Sequence, residues 1–140
     1  YKNCTNGNVQ AQGGIVDGKL RFGGEESTVG SNRALLVSNF TVDTRGFQYL
    51  RFKYYTENNN VPANAPSLGI GPAGWSETVN ASVSLIKQNG TSAVQTVTLN
   101  LSNYQGVYAI KGKWGFSGNT NNNPYWAGRK CWVTEIYMYA

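Results

Sequence analysis

Few residues in this chain could do acid–base or nucleophilic chemistry. There is no histidine, which excludes a Ser-His-Asp triad and a histidine general acid. Glycoside hydrolysis usually needs two opposed carboxylates, and the neighbours Glu25 and Glu26 would point to opposite sides of an extended segment. The remaining acids are isolated along the sequence: Asp17, Asp43, Glu57, Glu77 and Glu135. We therefore expect surface charge or calcium ligation from the acids, and predict that the chain is not an enzyme.

Exposed aromatic side chains next to polar ones form a second kind of candidate site. Sugar rings lay their C–H faces on indole and phenol rings, while their hydroxyls pair with amide and charged groups. Trp75 follows a loop rich in Gly and Pro, and Tyr125 and Trp126 lie in an Asn-rich loop where Asn123 and Arg129 could donate hydrogen bonds. These five residues predict a binding site at one loop end. The alternative is that the rings only anchor the loops.

A third candidate is a cationic strand face. Residues 49–55 alternate, which places Arg51, Lys53 and Tyr55 on one side. Lys111 and Lys113 are likewise opposite the apolar residues of a later strand. If the two strands share a sheet, the cations would form a stripe that binds carboxylates of a polyuronide. The alternative is that Lys and Arg merely protect a solvated sheet.

Two other patterns in the sequence say less about function. Residues 69–74 match G-x-G-x-x-G, but Pro72 interrupts the match and no strand–helix unit surrounds it, so a turn-rich loop is expected. The two cysteines, Cys4 and Cys131, could be buried free thiols, half a metal site or a disulfide. Without histidine or C-x-x-C spacing zinc is disfavoured, and we expect a disulfide that sets the first and last strands side by side. Trp132 would then pack against the bridge.

Short strand patterns separated by turn residues dominate the chain, and none of its segments has sustained helical periodicity. Hairpin turns are predicted at Asp17-Gly18 and Asn89-Gly90. Among the strands, residues 107–116 place Trp114 on an apolar face, and residues 131–139 are rich in β-branched and aromatic side chains. We predict an all-β fold, an antiparallel β-sandwich or jelly roll, formed by one domain spanning residues 1–140.

Size and charge limit the partners. The chain has 140 residues, enough for one self-supporting core, and no apolar run long enough to span a membrane. No signal segment precedes Tyr1, so we expect a mature product or an excised domain. The net charge of +5 favours acidic glycans, nucleic acid or anionic surfaces, although the cations are scattered and could simply be solvated. Because a disulfide is expected and no nucleic-acid motif is present, nucleic acid is not a predicted partner.

The strand sequences at 49–55, 96–110 and 133–137 resemble those of jelly-roll carbohydrate-binding modules of the galactose-binding-like group. This resemblance implies a non-catalytic, lectin-like module, often with structural calcium, that anchors a secreted, multimodular enzyme to extracellular polysaccharide. We expect an acidic or plant cell-wall glycan as the ligand. The competing prediction is a structural or adhesive subunit of an extracellular filament or virion.

Overall fold

The computed structural model describes residues 2–5, 14–22, 33–57, 65–74, 78–86, 93–115 and 130–140. Within these ranges no helix has the length and apolar character needed to cross a membrane. The regular elements of the described ranges are, in chain order, β1 (Lys2–Thr5), β2 (Gly14–Val16), β3 (Lys19–Phe22), β4 (Arg33–Asp43), β5 (Tyr49–Glu57), β6 (Ser67–Gly71), β7 (Ala81–Ser84), β8 (Gln95–Asn100), β9 (Val107–Gly115) and β10 (Lys130–Tyr139).

The strands form two antiparallel sheets that pack face to face. Sheet A has the order β1-β4-β9-β6-β7, and sheet B has the order β2-β3-β10-β5-β8. From β3 onward the chain crosses repeatedly between the sheets, so that β3-β10-β5-β8 lies over β4-β9-β6-β7. This is the two-sheet, eight-strand arrangement of a jelly roll, with β1 and β2 each added at an edge. The predicted all-β sandwich is confirmed.

Strand alternation places the core between the sheets. In β5, Leu50, Phe52 and Tyr54 are buried while the residues between them remain half-exposed, as a period of two requires. The Tyr54 hydroxyl accepts a 2.8 Å hydrogen bond from the Ile86 backbone N–H, so the polar end of this buried ring is paired. Burial raises the pKa of Tyr54. Trp114 has no exposed surface, as its place in the β9 pattern predicted.

The predicted hairpin at Asp17-Gly18 joins β2 to β3. Asp17 has φ 51° and Gly18 has φ 75°, the left-handed conformation that both central residues of a tight type I′ turn adopt. Asp tolerates this conformation better than most side chains, and Gly adopts it without strain. The turn brings Lys19 and Arg21 of β3 alongside β10.

Two glycines of the G-x-G-x-x-G match lie in a strand and allow close packing of the backbone. Gly69 and Gly71 belong to β6, and a Cβ atom on them would lie 2.0 Å from the Ala81 carbonyl oxygen and 2.4 Å from the Thr78 carbonyl oxygen, respectively. Only the second half of the match, from Pro72 to Gly74, leaves the strand. The glycines are therefore explained by packing of residues 78–81 against β6.

The terminal strands do not lie side by side, so that expectation is wrong. β1 pairs with β4 at the edge of sheet A, whereas β10 lies between β3 and β5 in sheet B. The physical reason is the crossing of the chain between sheets, which places the last strand in the middle of its sheet. Cys131 is a buried free thiol in the structure, which gives the predicted disulfide with Cys4 no support. The Cys4 side chain lies outside the described residues.

Thr44 and Gln105 fasten two turns together at one end of the sandwich. The buried Thr44 hydroxyl accepts a 2.9 Å hydrogen bond from the Gly106 N–H and donates to the Tyr104 carbonyl oxygen. The Gln105 side chain accepts from the Gly46 N–H and donates to the carbonyl oxygens of Phe47 and Leu101, each at 2.9 Å. Side chains thus satisfy backbone groups that no strand ladder reaches.

Thr44→Val tests this fastening. The substitution keeps the side-chain shape but removes the hydroxyl that accepts from Gly106. The half-buried Gly106 N–H then lacks its partner, which should lower the free energy of unfolding by about 1–3 kcal/mol. Urea unfolding measures the change. The matched control is Thr41→Val, at an exposed position of β4. Equal midpoints for the two variants would show that the Thr44 hydroxyl does not stabilise the turns.

The state of Cys131 can be measured by thiol labelling. Burial raises the pKa of this thiol and removes it from solvent, so little reactive thiolate forms in the native state. In a Cys4→Ser variant we expect no labelling of Cys131 at pH 8 until denaturant is added. In the unsubstituted chain both thiols should titrate in denaturant without reductant, and failure to find them would indicate a bridge.

Candidate functional site

The loop-end site cannot be placed in the structure. Trp75, Asn123, Tyr125, Trp126 and Arg129 all lie outside the described residues. The binding site at this loop end stays a prediction.

The predicted cationic stripe across β5 and β9 is wrong, because the two strands belong to different sheets. Arg51, Lys53 and Tyr55 lie on the outer side of sheet B, whereas Lys111 and Lys113 belong to sheet A. Lys111 is only 3% exposed and its aliphatic chain runs beside Gly71, while Lys113 is exposed. Strand alternation was read correctly in both strands, but it does not report which strands become neighbours.

The outer side of sheet B nevertheless gathers cations and aromatic rings. It receives side chains from four adjacent strands, β3, β10, β5 and β8. Two groups can be distinguished along it. The tryptophan cluster consists of Lys19, Arg21, Tyr55 and Trp132, and the tyrosine–arginine cluster consists of Tyr49, Arg51, Tyr137 and Tyr139.

A β-bulge in β10 places all the β10 rings on this face. Trp132 pairs with Tyr55, Glu135 pairs with Lys53, and the register shifts between Val133 and Glu135. The extra residue, Thr134, reverses the alternation, so Trp132 shares a side with Tyr137 and Tyr139 although their numbers differ in parity. The Thr134 hydroxyl donates to the Lys53 carbonyl oxygen at 3.2 Å.

In the tyrosine–arginine cluster the guanidinium of Arg51 is held between tyrosines. Its Nη1 donates to the Tyr137 hydroxyl at 2.7 Å and its Nη2 to the Tyr139 hydroxyl at 2.6 Å. Arg51 Cζ lies 4.7 Å from the centre of the Tyr139 ring, which stacks on Tyr49 with centroids 5.1 Å apart. The hydrogen bond to Tyr137 is the largest cause that raises the pKa of Arg51. A fixed cation therefore contacts two phenol rings, one of which is stacked on a third.

In the tryptophan cluster two cations lie over stacked rings. Tyr55 and Trp132 are nearly parallel, at 16°, with centroids 5.9 Å apart. Lys19 Nζ lies 5.5 Å from the Tyr55 ring centre and donates to its hydroxyl at 3.4 Å, while Arg21 Cζ lies 5.4 Å from the Trp132 ring centre. Arg21 and Trp132 are each 8% exposed, and burial lowers the pKa of Arg21. Lys19 and Tyr55 are half-exposed and form the accessible layer.

An ion pair separates the clusters. Lys53 Nζ lies 3.2 Å from a carboxylate oxygen of Glu135, and both side chains are about half-exposed. At the far end of the face Lys130 and Glu57 approach to 3.9 Å. Glu57 and Glu135 therefore offset Lys130 and Lys53, and Glu57 also interacts electrostatically with Arg21. Among the described residues neither Lys19 nor Arg51 forms an ion pair. Each cluster therefore holds one cation, Arg51 or Lys19, that no carboxylate of the described residues pairs with.

Sequence reasoning found part of this face and missed the rest. Arg51, Lys53 and Tyr55 were predicted to share a side, and they do. Trp132 was expected beside the disulfide, but it lies on the opposite side of β10 from Cys131 and stacks on Tyr55. The residues that were not predicted are Lys19, Arg21, Tyr49, Tyr137 and Tyr139. The alternation of β3 and β10 carried the signal, but the bulge concealed it in β10.

No family model matches this chain, and no curated protein matches it. The description of the site therefore rests on its own geometry. Among the described residues no three His, Cys, Asp or Glu side chains are grouped as metal ligands would be, and calcium ligation by the acids stays an expectation from the sequence.

Deleting Thr134 tests the role of the bulge. Without it, alternation would have to exchange the faces of Cys131, Trp132 and Val133, so we expect the free energy of unfolding to fall by more than about 3 kcal/mol. Thr134→Ala, which keeps the residue count and removes only the hydroxyl, is the control. Similar urea midpoints for the deletion and the control would show that the bulge does not fix the face.

Proposed function

We propose that this chain is a non-catalytic carbohydrate-binding module whose ligand, an acidic polysaccharide, binds the outer side of sheet B. The observation that carries the proposal is Arg51, a fixed and accessible guanidinium among Tyr49, Tyr137 and Tyr139. Phenol rings offer apolar surface to the C–H faces of sugars, and a neighbouring cation recognises an acid group on the same sugar.

The hydrogen bonding of Arg51 favours an anionic ligand. A guanidinium has five N–H donors. One hydrogen each on Nε, Nη1 and Nη2 is directed at the hydroxyls of Thr98, Tyr137 and Tyr139, which leaves one hydrogen on each terminal nitrogen. Two such hydrogens suit the two oxygens of a carboxylate or sulfate. Because the side chain is already held, little rotamer entropy would be lost on binding.

The surrounding hydroxyls support the same class of ligand. Asn100 and Thr98 of β8 are paired with Tyr49 and Arg51 of β5, so amide and hydroxyl groups border the rings. A polysaccharide presents many hydroxyls that need such partners when water is displaced. The open sheet also suits a long chain, which can enter and leave without a closed pocket.

The proposal includes a cellular setting. Polysaccharides of this kind are extracellular, so the chain would be secreted and would hold a larger, multimodular enzyme near its substrate. The free thiol of Cys131 gives this setting no support. The competing role, a structural or adhesive subunit of a filament or virion, would use the same sandwich to contact further copies of the chain.

Binding to acidic and neutral glycans tests the proposal. We expect titration calorimetry to detect polygalacturonate and not a neutral galactan, and Arg51→Met to weaken binding at least about tenfold, or about 1.4 kcal/mol. Lys113→Met removes the same charge from the exposed side of sheet A and is the matched control. Equal losses for both variants would indicate unspecific charge attraction. Absence of glycan binding together with self-association would favour the assembly role.

Glu135→Gln should strengthen the binding of an acidic glycan, whereas Arg51→Met should weaken it. The variant releases Lys53 from its ion pair and makes the face more positive, so we expect polygalacturonate to bind on the order of two- to fivefold more tightly. Because both partners are exposed, the free energy of unfolding should change by less than about 1 kcal/mol. Unchanged or weaker binding by Glu135→Gln would contradict an anionic ligand near Lys53.

A further inference from the structure

We infer that the outer side of sheet B has two separate anion subsites, so that its ligand is a linear polymer with acid groups on well-separated sugar units. This inference rests on the proposed function and adds a length requirement to it. The first subsite is the tyrosine–arginine cluster, and the second is the tryptophan cluster.

Strand register sets the distance between the subsites. Tyr55 faces Trp132 and Arg51 faces Tyr137 across the same pair of strands. Tyr55 and Arg51 are four residues apart on β5, which corresponds to about 13 Å along an extended strand. On β10 the partners Trp132 and Tyr137 are five residues apart in sequence, but the extra residue in the bulge leaves them the same distance apart along the strand. One monosaccharide cannot contact both clusters at this separation.

The second subsite has its own anchor. Lys19 is half-exposed, and its Nζ is positioned by the Tyr55 hydroxyl at 3.4 Å and by the Tyr55 ring. Below it, Arg21 and Trp132 are nearly covered and fix the position of Tyr55 through the stacked rings. The Nε1 atom of Trp132 is buried without a hydrogen-bond partner among the described residues, so the cluster holds a further donor that its own side chains do not satisfy.

The segment between the subsites is electrically balanced. Lys53 and Glu135 neutralise each other at the midpoint, while Arg51 on one side and Lys19 on the other form no ion pair among the described residues. A polymer whose acid groups reach both subsites would bind with higher affinity than one that reaches a single subsite, because the second contact forms within the same complex at high effective concentration. A short acid would gain from one end only.

A series of oligogalacturonates from the monosaccharide to the octamer tests the inference by titration calorimetry. We expect a rise in affinity of at least about tenfold at the length that first spans the two clusters. Lys19→Met should abolish this rise, and Arg51→Met should also weaken the binding of the long oligomers. Lys113→Met is again the control, and urea midpoints verify that each variant folds.

The outcomes separate this inference from the function it extends. A smooth increase with length, or long oligomers that bind Lys19→Met as tightly as the unsubstituted chain, would overturn the two-subsite arrangement while leaving the glycan function in place if Arg51→Met still weakens binding. If no oligomer or polymer binds the unsubstituted chain, both are overturned.

Discussion

The position of β10 between β3 and β5 is the constraint on which the rest of the structure depends. One strand must supply the core with Cys131, Val133, Ile136 and Met138 and supply the outer side of sheet B with four large polar or aromatic side chains. Simple alternation cannot do both with this sequence, because Val133 and Ile136 differ in parity. The single extra residue at Thr134 resolves the conflict, and the price is one interruption of the ladder to β5.

The same strand pairing determines how charge is distributed on the face. Lys53 pairs with Glu135 and is neutralised, whereas Arg51 pairs with Tyr137 and meets hydroxyls that fix it without cancelling its charge. An exposed ion pair contributes little to stability and little to anion recognition. A guanidinium oriented by neutral acceptors keeps its full attraction for an anion, and like every arginine it is protonated at physiological pH. Recognition is therefore expected from Arg51 and Lys19, which have no carboxylate partner among the described residues.

Local patterns predicted the elements well and their neighbours poorly. Alternation in residues 49–55 and the Asp17-Gly18 turn were sufficient to predict β5 and the β2–β3 hairpin, since both depend on residues close in sequence. The pairing of β10 with β5 and β3 depends on crossovers between sheets, and alternation carries no information about these crossovers. The β1 strand was missed, since its four residues carry no clear periodicity. The bulge at Thr134 could not be predicted from the sequence either, because its effect appears only when a partner strand fixes the register.

Sheet A differs from sheet B because, of the two lysines that alternate along β9, Lys113 is exposed and Lys111 is buried. Gly69 and Gly71 let residues 78–82 approach the outer side of β6 closely, and Lys111, in the neighbouring strand, is consequently covered. A cation that is nearly buried cannot serve a ligand from solvent. On sheet B no comparable pair of glycines interrupts the described strands, so side chains from four strands extend outward together. The two outer sides of the sandwich therefore differ. On sheet A the backbone packs closely against β6, whereas sheet B displays cationic and aromatic side chains that are suited to binding.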